Sequence, residues 1–168
     1  MQFTFTLVDE TDARQIITWQ YDEPYAVYNI IADCAHIEDT LAELLDRRSP
    51  HYAAKNEQGE LVGFFAFGTS AQVWHNDVPA LYSENQTIDI GLGMRPDLTG
   101  KGLGLAFVQA GLAFAKEQFA PRHFRLFVLP FNKRAIRVYE QAGFVRTGIY
   151  MQKYEDGERP FVEMCREA

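Results

Sequence analysis

Residues 88–116, IDIGLGMRPDLTGKGLGLAFVQAGLAFAK, constrain this chain more than any other stretch. They read as a buried strand, a sharp glycine turn, and a helix apolar on nearly every side, which requires burial against a sheet. The turn holds Gly100, Gly102 and Gly104 with Lys101 between the first two. Backbone N–H groups there can approach an anion with no side chain in the way. A helix starting at the turn adds the positive end of its dipole and its unpaired first-turn N–H groups. The stretch is a candidate phosphate cradle; the alternative is a glycine-rich turn that binds nothing.

Two phosphate motifs fail here. A GxxxxGK[ST] loop with its lysine at Lys101 needs glycine where Arg95 stands and a hydroxyl where Gly102 stands. A GxGxxG fingerprint from Gly100 and Gly102 needs a third glycine where Leu105 stands. A second stretch narrows the reading: FRLFVLPFNKRAIRVYEQAGF, residues 124–144, is a strand ended by Pro130 and then a helix. Asn132 suits its N-cap and Gly143 its C′ position. Ala135, Tyr139 and Ala142 share one face, which turns Tyr139 inward.

The run Thr99, Gly100, Lys101, Gly102, Leu103, Gly104, followed by Asn132, Ala135, Tyr139, Gly143 and Phe144, resembles the GNAT superfamily of acetyl-CoA-dependent N-acyltransferases. The resemblance covers the last half of the chain. The departure is Thr99, where the family has Arg or Gln. The resemblance implies an α/β fold: a mixed, mostly antiparallel, twisted sheet of about seven strands with helices on both faces. It implies acetyl-CoA as cosubstrate, no metal, and one acetyltransferase domain over residues 1–168. It also implies that the strand splays at a bulge, so that the pantetheine arm pairs with Leu92, Gly93 and Met94. Arg95, Thr99, Gly100, Lys101, Gly102, Leu103 and Gly104 then follow the cofactor, with Asn132, Lys133, Ala135 and Tyr139 from the second stretch. Tyr139 occupies the family's position for the acid that protonates the departing thiolate.

Amide formation needs a neutral amine, and a lysine-like amine with a pKa of about 10.4 must lose its proton first. Asp89, on the strand beside the thioester, is the candidate base, with Glu84 competing. Strand alternation sets Asp89, Gly91, Gly93 and Arg95 on one face and Ile90, Leu92 and Met94 on the other. A strand-edge carboxylate bound to backbone or solvent is the structural alternative for Asp89, and a core tyrosine that for Tyr139.

Upstream, MQFTFTLVDE alternates as a first strand and lacks the basic start and apolar middle of a signal peptide. Trp19, Tyr21, Tyr25 and Tyr28, broken by Pro24 among acids, form either a wall of an amine pocket or a core edge. A helix is expected over 36–48, a hairpin over 51–68, and a terminal hairpin turned at Asp156 and Gly157; residues 74–86 show no clear period, and the family resemblance implies that this loop borders the acceptor. Cys34 and Cys165 have no metal spacing and read as reduced thiols of a cytoplasmic protein. The histidines His36, His51, His75 and His123 show no ligand pattern, and no apolar run is long enough to span a membrane.

The net charge of −7 is uneven: residues 1–50 carry ten acids against Arg14, Arg47 and Arg48, while the rest is neutral. Without a basic face, nucleic-acid binding is disfavoured. The acidic front either steers a cationic acceptor or is a solvated surface. The reading that follows is acetyl transfer to a primary amine of a small cationic acceptor in a ternary complex, with protein N-terminal acetylation and a non-catalytic acyl-CoA-binding module as alternatives. A homodimer is compatible with the sequence, and the residues name neither the oligomeric state nor the acceptor.

Overall fold

The strand, turn and helix expected over 88–116 are all present in a computed structural model, which describes residues 2–30, 37–73, 82, 86–154 and 157–168. The strands are β1 (Thr4–Leu7), β2 (His51–Lys55), β3 (Leu61–Phe67), β4 (Thr87–Met94), β5 (His123–Val128), β6 (Val145–Tyr154) and β7 (Gly157–Glu167). The helices are α1 (Glu10–Ile16), α2 (Ile37–Leu44), α3 (Gly104–Phe119) and α4 (Lys133–Gln141). The seven strands are hydrogen-bonded in the order β1-β2-β3-β4-β5-β7-β6. The pairs β1–β2, β2–β3, β5–β7 and β6–β7 are antiparallel, and β4–β5 is parallel. The mostly antiparallel α/β expectation is borne out.

The chain divides into two compact units, residues 1–66 with 92–103, and residues 67–91 with 104–168. In the first, Asp9 caps α1 by accepting from the Asp12 N–H at 2.8 Å. Ala13 and Ile16 of that helix are buried with Val8, Leu41, Leu44, Ala53 and Leu61. Asp12 is buried too and takes its charge partner from Lys55 at 3.0 Å. Helix α2 is shorter than the expected 36–48. After it the Asp46 carboxylate accepts from the Arg48 side chain and N–H, which hold its pKa at about 2 and end the helix in a turn. The 51–68 hairpin is present: Asn56 closes its turn by accepting from the N–H groups of Gln58 and Glu60.

In the second unit Phe107, Val108, Leu112 and Ala115 of α3 are buried, as are Phe124, Leu126 and Val128 of β5 and Val162 and Met164 of β7. Helix α4 begins and ends as its residues direct. Asn132 accepts from the Ala135 N–H at 3.1 Å, and Gly143, at φ +91°, lets the Gly143 and Phe144 N–H groups turn back to the carbonyls of Glu140 and Tyr139. The terminal hairpin is present with Tyr154 opposite Gly157, and a register shift falls between Arg146 and Gly148.

Within the first unit, Gly93 of β4 sits where only glycine fits. A Cβ there would lie 2.5 Å from Phe64 Cε1, and the Phe64 ring is itself packed against Trp19 and His51. Gly93→Ala should therefore cost about 1–3 kcal/mol in urea unfolding, and Phe64→Leu in the same chain should recover most of it. Equal midpoints for parent and Gly93→Ala would show that the ring moves aside freely.

Candidate active site

The glycine turn has the geometry an anion cradle requires. Gly100 and Gly102 lie at φ +73° and +78°, in the left-handed region that side-chain-bearing residues avoid. No heavy atom lies within 4 Å of where a Gly102 Cβ would stand, so the space above the backbone is open. The chain then enters α3 at Gly104, and a 16-residue helix supplies an N-terminal field. A Cβ on Gly104 would meet Val138 Cγ2 at 3.2 Å, so this glycine sets how closely α3 approaches α4. Lys101 is exposed at the turn, and Lys133 is exposed at the start of α4. The open glycine turn and the exposed Lys101 within it fit a pyrophosphate.

Thr99, where a long donor was expected, has a local role: its hydroxyl donates to the Pro96 carbonyl at 2.8 Å and closes the short helical turn Pro96–Leu98. Arg95 is likewise engaged, with Asp97 at 2.7 Å and the Leu61 carbonyl at 3.0 Å. The hydrogen bond it donates to the Asp97 carboxylate holds the arginine above its ordinary pKa. Leu92, Gly93 and Met94 are half-buried in β4, and Leu103 is half-buried in the turn. Asn132 is occupied as the α4 cap and Ala135 is half-buried. Tyr139, half-buried, meets Phe144 edge-on at 6.1 Å, which orients its ring from behind.

The aromatic group divides. Trp19 is buried in the core of the first unit and packs against Phe64, at 6.2 Å between ring centres. Tyr21 reaches Met94, its hydroxyl donating to the Met94 carbonyl at 2.8 Å, while Asn29 accepts from the Tyr21 N–H at 2.7 Å. The loop that holds Tyr21 is thereby tied to the end of β4. Tyr25 and Tyr28 are half-buried in a short helical turn. Glu84, Cys34 and most of the 74–86 loop lie outside the described residues. A polar cavity of about 490 Å³ in the first unit is lined by Asp12, Lys55 and Glu60 and includes Arg95 alone among the expected site residues.

Asp89 is engaged in a buried ion pair. Arg125 Nε donates to its Oδ1 at 2.6 Å and Nη2 to its Oδ2 at 3.1 Å, and Gln72 adds a bond to Oδ2 at 3.2 Å. Both side chains of the pair are 4% exposed. Before taking a proton from substrate, Asp89 would have to release a buried guanidinium. Burial pulls the Arg125 pKa down, but the bonds and charge of Asp89, with Glu163 behind them, leave it above its usual value. Tyr82 and Phe127 lie against the guanidinium at 5.0 and 5.7 Å. The sequence reading missed Arg125 and Glu163. The signal was a lone charge inside FRLFV and another inside FVEMC, each of which needs a partner once its strand is buried.

The profile of the acetyltransferase (GNAT) family matches residues 11–144. The mycothiol acetyltransferase of Streptomyces coelicolor is 30% identical over 148 residues, which is 83% of this chain and 44% of that protein. The mycothiol acetyltransferase of Streptomyces avermitilis is 30% identical over 147 residues, again 44% of its length. The chain thus spans less than half the length of these curated relatives. Among solved structures, the aminoglycoside acetyltransferase AAC(6')-Ib in complex with coenzyme A superposes with a TM-score of 0.73 at 22% identity, covering 99% of this chain and 95% of that one. Spermidine/spermine N-acetyltransferase SpeG from Vibrio cholerae gives 0.67 at 17% identity, covering 99% and 95%. With the family profile on most of its length and the fold in agreement, the chain belongs to the GNAT acetyltransferase family.

Proposed function

We propose that the chain, acting as one acetyltransferase domain, moves an acetyl group from acetyl-CoA to a primary amine of a small cationic acceptor, by direct attack in a ternary complex. The observation that carries this is the turn with positive φ at Gly100 and Gly102, open where a Gly102 side chain would stand and leading into α3. In this reading the turn holds the pyrophosphate and the backbone of Leu92, Gly93 and Met94 pairs with the pantetheine arm. The nitrogen of the acceptor forms its bond to the acetyl carbon as the carbon–sulfur bond breaks. Tyr139 gives its proton to the sulfur that leaves. We leave the base unassigned between water and Glu84.

A small acceptor is supported by the relatives, whose names refer to mycothiol, aminoglycosides and spermidine. A cationic one is supported by charge: all of the net −7 falls in residues 1–50, whereas Lys101, Lys133 and Arg134 flank the expected phosphate positions. Tyr21, Tyr25 and Tyr28 could add cation–π attraction of about 0.5–2 kcal/mol.

Three measurements check this. Gly102→Asp places a carboxylate in the cradle and should weaken calorimetric coenzyme A binding at least tenfold, about 1.4 kcal/mol; an unchanged affinity in the folded variant would remove the cradle. Tyr139→Phe keeps the ring and deletes the hydroxyl, so turnover should fall roughly 10²-fold while acetyl-CoA affinity holds; equal turnover returns Tyr139 to packing. Thiol release from acetyl-CoA should favour a cationic amine over a neutral one of similar size, and added salt over about 0.1 M should erode kcat/KM for the cation alone. If both amines respond alike, the acidic segment is only a solvated surface.

A further inference from the structure

The parallel pairing of β4 with β5 runs through Thr87↔His123 and Ile88↔Phe124 and ends at Asp89↔Arg125. Beyond that rung the other edge of β5 stays paired with β7 as far as Val128↔Val162, whereas β4 continues to Met94 with no further β5 partner among the described residues. The buried ion pair is therefore the last cross-link between two strands that stop pairing at that point.

Arg125 is held on every side. Its Nε and Nη2 donate to the two oxygens of Asp89, and its Nη1 lies 3.8 Å from Glu163 Oε1 on β7. Glu163 is fixed in turn by the Thr147 hydroxyl at 2.6 Å, and the guanidinium lies against the rings of Tyr82 and Phe127. A bidentate guanidinium–carboxylate pair specifies both distance and angle. Its desolvation is costly enough that a well-packed apolar pair is often as stable, so its presence at the end of a ladder calls for a reason other than stability.

We infer that the Asp89–Arg125 pair is a positioning device: it pins β4 to β5 at one rung and so fixes where β4 leaves the ladder. The backbone that follows the pin, from Ile90 onward, thereby starts from a fixed point. Gly93, further along the strand, is packed under the Phe64 ring of the first unit, so that end of β4 is held from its other side. The inference rests on the acetyl-CoA reading above, in which the pantetheine arm takes the backbone groups of Leu92, Gly93 and Met94. It gives Asp89 the job of orienting β4 and takes from it the job of accepting a proton. Arg125, Glu163 and Thr147 become residues that act on cofactor binding without touching the cofactor.

The test uses the full chain with coenzyme A as the probe. Asp89→Asn combined with Arg125→Gln removes both charges of the pair together and leaves Glu163 to the Thr147 hydroxyl that already donates to it. In this double variant, hydrogen exchange at the amides of 90–94 should quicken at least tenfold and coenzyme A should bind at least tenfold more weakly. The acid limb of the kcat/KM profile should stay where it is in the parent. Arg125→Lys, which keeps the charge and loses the paired geometry, should fall between parent and double variant, and it carries the same readouts if the double variant does not fold. Folded variants that bind coenzyme A within twofold of the parent with unchanged exchange would overturn the inference. So would loss of the acid limb with binding intact, which would make Asp89 the base after all. If the parent itself binds no coenzyme A, the transferase reading fails, while the exchange rates at 90–94 still report on the pin.

Discussion

A guanidinium buried in the middle of a sheet organises the second unit. Arg125 stands between Phe124 and Leu126 on a strand whose neighbours are apolar, and such a charge persists only if opposite charges meet it. Asp89 answers from β4 and Glu163 from β7, so one side chain connects three strands. The parallel ladder reaches that residue and goes no further. The point at which β4 parts from β5 and the point at which the charge is neutralised are the same point, and that coincidence changes the meaning of Asp89.

The first unit solves a different problem, which is how to hold the far end of β4 from one side. Tyr21 gives its hydroxyl to the Met94 carbonyl, Arg95 donates its N–H to Val62 and its guanidinium to Leu61, and Gly93 makes room for Phe64. Each contact uses a residue from the stretch expected to follow the cofactor. The segment is thus held in place by its neighbours within the first unit.

The glycines of the turn divide by task. Gly100 and Gly102 have positive φ, and space is open above Gly102, as backbone N–H groups need if they are to meet a phosphate directly. Gly104 lies against Val138 and serves helix packing. The same residue type therefore supplies access at one position and proximity two residues on. Thr99 contributes to neither; it closes the preceding turn. Its hydroxyl shows how a chain can depart from the family's long donor without losing the shape of the loop.

Local rules carried much of this chain. The strand, turn and helix of 88–116, the Asn132 cap, the Gly143 exit and both hairpins follow from periodicity, capping and turn chemistry, which act over a few residues and are written in neighbouring letters. The family was legible for the same reason, since its signature lies at helical spacing in two short stretches. Pairings between distant residues had no such local trace. Nothing adjacent to Asp89 announces Arg125, Glu163 or Gln72, and nothing adjacent to Trp19 distinguishes a pocket wall from a core ring packed on Phe64. Sequence alone determined which segments are strands and helices and where an anion could approach a backbone. Only the tertiary structure decided which charges cancel, because burial makes neutralisation obligatory and the fold alone says which residues are buried together.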